Sequence, residues 1–336
     1  MKNYMYTLLS ALFIAAPMLA MEKRKRDSEL AKDTSKKAHT QVVTARPSYL
    51  ENLPSELKNM VFEYVHANNS LARAIAKASE SGDAQNIHFI LTHFPHTNLN
   101  NKVKPEDSTA LIRATRSSHT DVAELLIKAG ADVFATNINT ETALWHAATR
   151  GDVDIARMLL AKAPPVTSAP GTPTLHTLLN IADFAQCHKP LARAIVYEHV
   201  PMVQLLLEYG ANPNNTTIGL GIAVFHNITG LLHAAQIGNF AIVDLLLMAG
   251  AKANDPSMGY TTQDNDYVKK PDMTALMLAA QNGHKAVVQR LVQEPNIAYD
   301  ACNIEGKTAL DLAQESTSEN KKEIIMLLKQ HMQKKK

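Results

Sequence analysis

Thr-Ala-Leu recurs at Thr109, Thr142, Thr274 and Thr308, and each copy opens a short alanine-rich run. The step from Thr109 to Thr142 is 33 residues, and from Thr274 to Thr308 it is 34. After each opening comes a small turn, often with Gly, and then an aliphatic run such as Val122-Ala-Glu-Leu-Leu-Ile127. Several copies close on Gly-Ala, at Gly130-Ala131, Gly210-Ala211 and Gly250-Ala251. A fixed period of this length marks stacked supersecondary units, none of which buries its apolar face alone. Such arrays are built for binding more than for catalysis.

One unit shows why. In Thr142–Ala161, Leu144, Ala147 and Ala148 fall at helical spacing and make an apolar stripe of small residues, which lets a neighbouring helix approach closely. Gly151 supplies a left-handed helix stop, and Asp152 begins the next helix. Val153, Ala156, Leu159 and Leu160 form a second stripe. The pair is predicted to be two antiparallel helices, each too short to stand alone in water.

Drifted copies follow the same template. Pro190-Leu191 leads to Val203–Leu207, Gly230-Leu231 leads through Gly238 to Ile242–Leu247, and Ala74-Ile75 leads through Gly82-Asp83 to Ile87–Leu91. About seven units result, above the roughly three a stable stack needs. Thr274-Ala-Leu-Met-Leu-Ala-Ala280 with Gly283-His284, and Thr229-Gly-Leu-Leu-His-Ala-Ala235 with Gly238, resemble the signature of the ankyrin repeat family. Ala110, Ala143, Ala275 and Ala309 stand where that family usually has proline. The resemblance implies an all-α solenoid with finger loops projecting from one edge, a protein-binding role, and no cofactor. It also implies that His119, His199 and His284 satisfy backbone groups of the inter-helix turns.

The expected organisation is a signal peptide at 1–20, a disordered linker at 21–47, an N-terminal capping helix at 48–69 and the repeat domain at 70–336. Lys2, the apolar run Leu8–Ala16 and Pro17 read as a secretory signal cleaved after Ala20. The alternative is an uncleaved membrane anchor, because Lys23-Arg-Lys-Arg26 follows directly and opposes export. Residues 21–47 are too polar to build a core. Leu53-Pro54-Ser55-Glu56-Leu57 through Met60, Val61, Phe62, Tyr64 and Val65 predicts one amphipathic helix with proline at its start. It resembles the first helix of an F-box, which would place ubiquitin-ligase docking on Leu53, Pro54, Leu57 and Phe62. It also suits a cap that shields the open end of the stack.

Chemistry is sparsely represented. The formal charge of +2 points to neither nucleic acid nor membrane surface. Cys187 and Cys302 are the two cysteines, which indicates neither a disulfide framework nor a Cys-rich zinc site. His88, His93 and His96 do not share one helix face, and no His-Glu-x-x-His occurs. Gly219-Leu-Gly221 lacks the remainder of a phosphate cradle. No catalytic, metal or cofactor residues are therefore expected, and no small-molecule substrate.

The resemblance places partner contacts on the fingers and the exposed side of each first helix. In this chain those positions are Glu106, Ser108, Arg116 and Ser117, then Asn139, Glu141, Thr149 and Arg150. They continue with Tyr197 and Glu198, Gln236 and Ile237, and Met273, Gln281 and Asn282. Trp145 stands at the family's histidine position, which faces the neighbouring unit, and is expected to pack between repeats, the alternative being an exposed binding anchor. Excess length near 164–187, 214–228 and 255–270 predicts three long fingers, with a short helix near Leu175–Phe184. The expected protein is an exported, non-enzymatic, protein-binding repeat array. It is a candidate host-directed effector, periplasmic, secreted or in a host cell. A ligase adaptor and a periplasmic structural or chaperone-like repeat protein are the alternatives.

Overall fold

The structure is a computed structural model that describes residues 70–95, 97–164, 173–182, 189–214, 228–263 and 266–334. The chain divides into Met1–Ser70 and Leu71–Lys336, and the description, Ser70 apart, concerns the second unit. The signal segment, the linker and the helix expected near Leu53 lie outside the described residues.

Among the described residues, seven helix pairs follow one another. The first joins a helix over 70–81 (α1) to Ala84–His93 (α2). Next come Ala110–Arg116 (α3) with Thr120–Lys128 (α4), and Ala143–Arg150 (α5) with Val153–Lys162 (α6). After a short extra helix at Leu175–Asn180 (α7), the fourth pair is Pro190–Val196 (α8) and Val200–Glu208 (α9). The last three are Gly230–Ile237 (α10) with Phe240–Met248 (α11), Ala275–Gln281 (α12) with Lys285–Leu291 (α13), and Ala309–Glu315 (α14) with Lys321–Lys334 (α15). From the second pair to the last, first helices stack on first helices and second helices on second helices. This is the α-solenoid that the period predicts.

Each boundary has a local cause. The hydroxyls of Thr109, Thr142, Thr229, Thr274 and Thr308 accept the N–H groups of Ile112, Trp145, Leu232, Met277 and Asp311, capping five first helices. Pro190 starts the sixth. Second helices close on a tightened turn, as where Ala131 N–H donates to Leu126 C=O at 3.0 Å. Ala114, Ala147, Ala148, Ala234, Ala235, Ala279 and Ala280 are fully buried, so the first helices stack closely. Val122 and Leu126, Ile155 and Leu159, Val203 and Leu206, Ile242 and Leu246, and Val287 and Leu291 fill the space behind them in one continuous core. Each such side chain contributes about 1.5–3 kcal/mol by leaving water.

The first five joints between successive units alternate in chemistry. His119 packs on Gly82, His199 on Gly151 and His284 on Gly238, so closely that a methyl group on any of these glycines would enter the ring. Each Nε2 lies 2.9–3.1 Å from a carbonyl of the preceding unit, at Glu80, Thr149 and Gln236. A carbonyl only accepts, so the proton sits on Nε2. The resemblance implied this role for the three histidines. The intervening joints use side-chain pairs instead. Ser118 Oγ donates to Asp152 Oδ2 at 2.7 Å, and Asn239 Nδ2 donates to Glu198 Oε2 at 2.9 Å. Ser118 and Glu198 carry these partners at φ 60° and 56°, where the other joints have glycine.

One feature is added to the helices. The finger before α12 rises as an antiparallel hairpin, Met258–Gln263 (β1) and Asp266–Pro271 (β2), in register from Met258↔Pro271 to Gln263↔Asp266. Its base is closed by buried Ser257. Ser257 N–H donates to Met273 C=O, Asp272 N–H donates to Ser257 C=O, both at 2.8 Å, and Met273 N–H donates to Ser257 Oγ at 3.0 Å. Of the other long fingers, the first holds α7 between segments outside the description, and residues 215–227 of the second lie outside it.

Candidate protein-binding face

The ends of the first helices and the fingers present the expected contact residues unevenly. Asn139, Arg150, Tyr197, Glu198, Gln236, Ile237, Gln281 and Asn282 are exposed. Tyr197 and Ile237 occupy the same place in successive units, and at 47% and 37% exposure they are half-open apolar surface. Ser117, Thr149 and Met273 are half-buried, and Met273 packs against the core.

Five expected contacts are spent inside the array. Ser108 is fully buried beside the capping Thr109 and cannot meet a partner. Glu106 and Arg116 are paired with each other, and Arg116 also reaches Glu80 at 3.5 Å. Glu141 turns inward, where Asn137 Nδ2 donates to its Oε2 at 2.6 Å and His146 Nε2 stands 3.3 Å away. The His146 contact, helped by Asn137, holds the Glu141 carboxyl below its ordinary range against the opposing effect of burial. Glu198, although exposed, serves the joint to Asn239.

Tyr197 is braced. Arg193 Nη2 donates to its hydroxyl at 2.9 Å, and the guanidinium lies 4.8 Å from the centre of its ring. The same guanidinium lies 4.4 Å over Trp145 and its Nε donates to Thr149 Oγ1 at 3.2 Å. Trp145, only 7% exposed, packs between units as its position predicts. Such cation–aromatic contacts add about 0.5–2 kcal/mol each and fix the exposed ring before any partner arrives.

A further row was not read from the sequence. Four residues after the start of each template stand Lys77, Arg113, His146, Arg193 and His233, in five successive units. The last two units have Leu278 and Leu312 there. Two members of the row, Arg113 and His146, meet the finger residues Val103, Lys104 and Glu141. Arg113 Nη2 donates to the carbonyls of Val103 and Lys104 at 2.9 and 3.2 Å, while its Nη1 pairs with Glu80 at 2.9 Å. His233 is 8% exposed and its Nδ1 has no hydrogen-bond partner. Burial lowers its pKa, partly opposed by Glu198. The constant offset from Thr109, Thr142 and Thr229 was the available signal.

Among the described residues, no group of three or more His, Cys, Asp or Glu side chains could hold a metal ion, and no helix is long and apolar enough to cross a membrane. Stacked helix pairs with a braced, half-exposed inner strip define a protein–protein interaction module of the helical-repeat class, a kind of domain that is typically non-enzymatic.

The chain belongs to the ankyrin repeat family. A family profile described as ankyrin repeats (3 copies) matches residues 71–170, 136–217 and 231–336, and one described as ankyrin repeats (many copies) matches 191–247. It is similar to the ankyrin repeat and KH domain-containing protein mask-1 of Caenorhabditis elegans, 24% identical over 319 residues. That match covers 88% of this chain but spans only 11% of the relative's length. The Notch-regulated ankyrin repeat-containing protein of Xenopus laevis is 32% identical over 92 residues, 27% of this chain and 81% of that protein. Among solved structures, the ankyrin repeat domain of Bcl-3 aligns with a TM-score of 0.57 at 23% identity, covering 75% of this chain and 97% of that one. The human ASB11 ankyrin repeat domain aligns at 0.53 and 19%, covering 76% and 96%. At these identities the structural likeness shows the fold alone.

Proposed function

We propose that this chain is an exported, non-enzymatic ankyrin-repeat protein that holds a protein partner against the inner strip and its fingers. The observation that supports it most is the braced apolar pair Tyr197 and Ile237, rimmed by Arg150, Gln236, Gln281 and Asn282. Interfaces gain most of their affinity from a few central aromatic or arginine anchors within a polar rim. In this reading residues 1–20 direct export and Lys23–Arg26 belong to the linker that follows. Its destination is periplasmic, secreted or within a host cell, with membrane association only if the leader is kept. The test is affinity capture from a host-cell lysate with the chain beginning at Met21, beside N-terminal sequencing of the exported protein. A specific protein recovered by wild type and lost on Tyr197→Ala supports the reading. Capture unaffected by that substitution contradicts the binding half; a chain found only inside the producing cell contradicts the export half, and an intact leader on the exported protein marks an uncleaved anchor.

The motif Leu53-Pro54 through Leu57 and Phe62 favours a second reading, a substrate-holding adaptor of a ubiquitin ligase. It requires recovery of ligase scaffold components in the same capture, abolished by Leu57→Ala with Phe62→Ala. Their absence where other partners are recovered leaves that segment as a cap.

A further inference from the structure

The hairpin before α12 has only two strands among the described residues, so each strand keeps one outer edge. A two-stranded ribbon is marginal in water until a further strand or a helix completes it. We propose that the outer edge of β1, Met258–Gln263, takes an extended segment of the partner protein as a third strand. This rests on the protein-binding reading given above and names the form in which part of the partner is held.

The backbone register shows what that edge provides. Gln263 and Asp266 pair across a two-residue connection, so they exchange both N–H···O=C bonds. Such mutual pairs alternate along an antiparallel ladder. Thr261 and Gly259 therefore also bond β2, while Thr262, Tyr260 and Met258 direct their N–H and C=O groups outward. Sequence then separates the two edges. β2 holds the charged residues Asp266, Lys269 and Lys270, and Pro271, on its outward register, has no N–H to give. Charge and proline are the means by which edge strands avoid pairing. β1 reads Met-Gly-Tyr-Thr-Thr-Gln, without charge or proline, so nothing in it blunts the edge. A second copy of the chain suits this edge poorly. Six residues span about 20 Å, and edge-to-edge contact of that length falls short of the roughly 1,200 Å² that stable interfaces bury. A partner already held at Tyr197 and Ile237 needs no such area, because the strip raises the effective concentration of its adjoining segment. The hairpin stands directly before α12, whose end carries Gln281 and Asn282 of the same strip. The segment that fits is uncharged, free of proline and rich in Thr, Val or Ile.

The test is amide hydrogen exchange in the full chain, read by nuclear magnetic resonance. The probe is a synthetic peptide of about eight residues, alternating Thr and Val between terminal lysines. The comparison peptide has proline at alternate positions and cannot pair. At millimolar peptide the N–H groups of Tyr260 and Thr262 should exchange about tenfold more slowly, while those of Tyr267 and Lys269 on the other edge do not change. The proline peptide should have no effect. No slowing, equal slowing on both edges, or slowing that rises with protein concentration in the absence of peptide overturns the proposal, the last in favour of a second copy. A captured partner gives the second readout. Thr262→Pro removes an outward N–H and should weaken capture by about three- to tenfold, whereas Thr262→Val should not. Continued protection of the Thr261 N–H shows that the hairpin survives the proline, and circular dichroism checks the helices. A partner that depends on Tyr197 but is indifferent to Thr262→Pro overturns this inference and leaves the protein-binding reading intact.

Discussion

Gly151 sits at φ +77° with the His199 ring where a side chain would begin, so alanine there meets two obstacles at once. Gly130 has φ +90° but open space around it. Gly130→Ala should therefore cost about 1–2 kcal/mol, the penalty of a left-handed residue with a Cβ. Gly151→Ala should cost more, because the imidazole must also leave the Thr149 carbonyl. Urea unfolding of the two variants checks the order. Glu141 gives a pH prediction. Its carboxyl is held below the ordinary carboxylate range, so its contribution is present above the unfolded pKa and is lost as pH falls through the folded one. Glu141→Gln should lower the melting temperature at neutral pH and converge on wild type in acid. A constant difference across that range contradicts the inward placement of Glu141.

At the scale of elements, the joint and the hairpin separate what the sequence shows from what it leaves open. Helix pairs were legible because capping threonines recur in five units, Gly-Ala stops in three and buried alanines along the first helices, and local cause sufficed. The hairpin was not, since excess length after Asp255 predicts a long finger without choosing its backbone. Only pairing of Met258–Gln263 with Asp266–Pro271 decides it. Replacing residues 259–270 by a two-residue turn should leave helix content unchanged and shift the melting temperature by only about 2 °C, because Ser257 closes the finger below the cut. A cooperative loss of helix would show that the hairpin supports the stack. The exposure of candidate residues was legible where one helix end decides it, as at Arg150, Tyr197 and Gln281. It was not legible where a distant unit decides it. Nothing near Arg116 announces Glu80, and nothing near Glu198 announces Asn239. The row through Arg113, His146 and His233 escaped for a different reason, because its signal is the offset from the threonines and not the helix ends.

The whole molecule is a one-dimensional stack, so a core defect weakens its own unit and its neighbours first. Leu159→Ala, fully buried in the third unit, should cost about 2–5 kcal/mol and raise hydrogen exchange around α5 and α6 before the last pair. The stack also has two long surfaces. The inner one carries Tyr197 and Ile237, and the second helices expose Phe240, Met248 and Met326. The central claim is that the inner one holds the partner. Its most direct test is quantitative capture with two matched variants, Tyr197→Ala with Ile237→Ser and Phe240→Ala with Met248→Ser, compared by mass spectrometry at equal folded protein. The account predicts that the first loses the partner by tenfold or more, about 1.4 kcal/mol, while the second retains it. Retention by the first and loss by the second would contradict it.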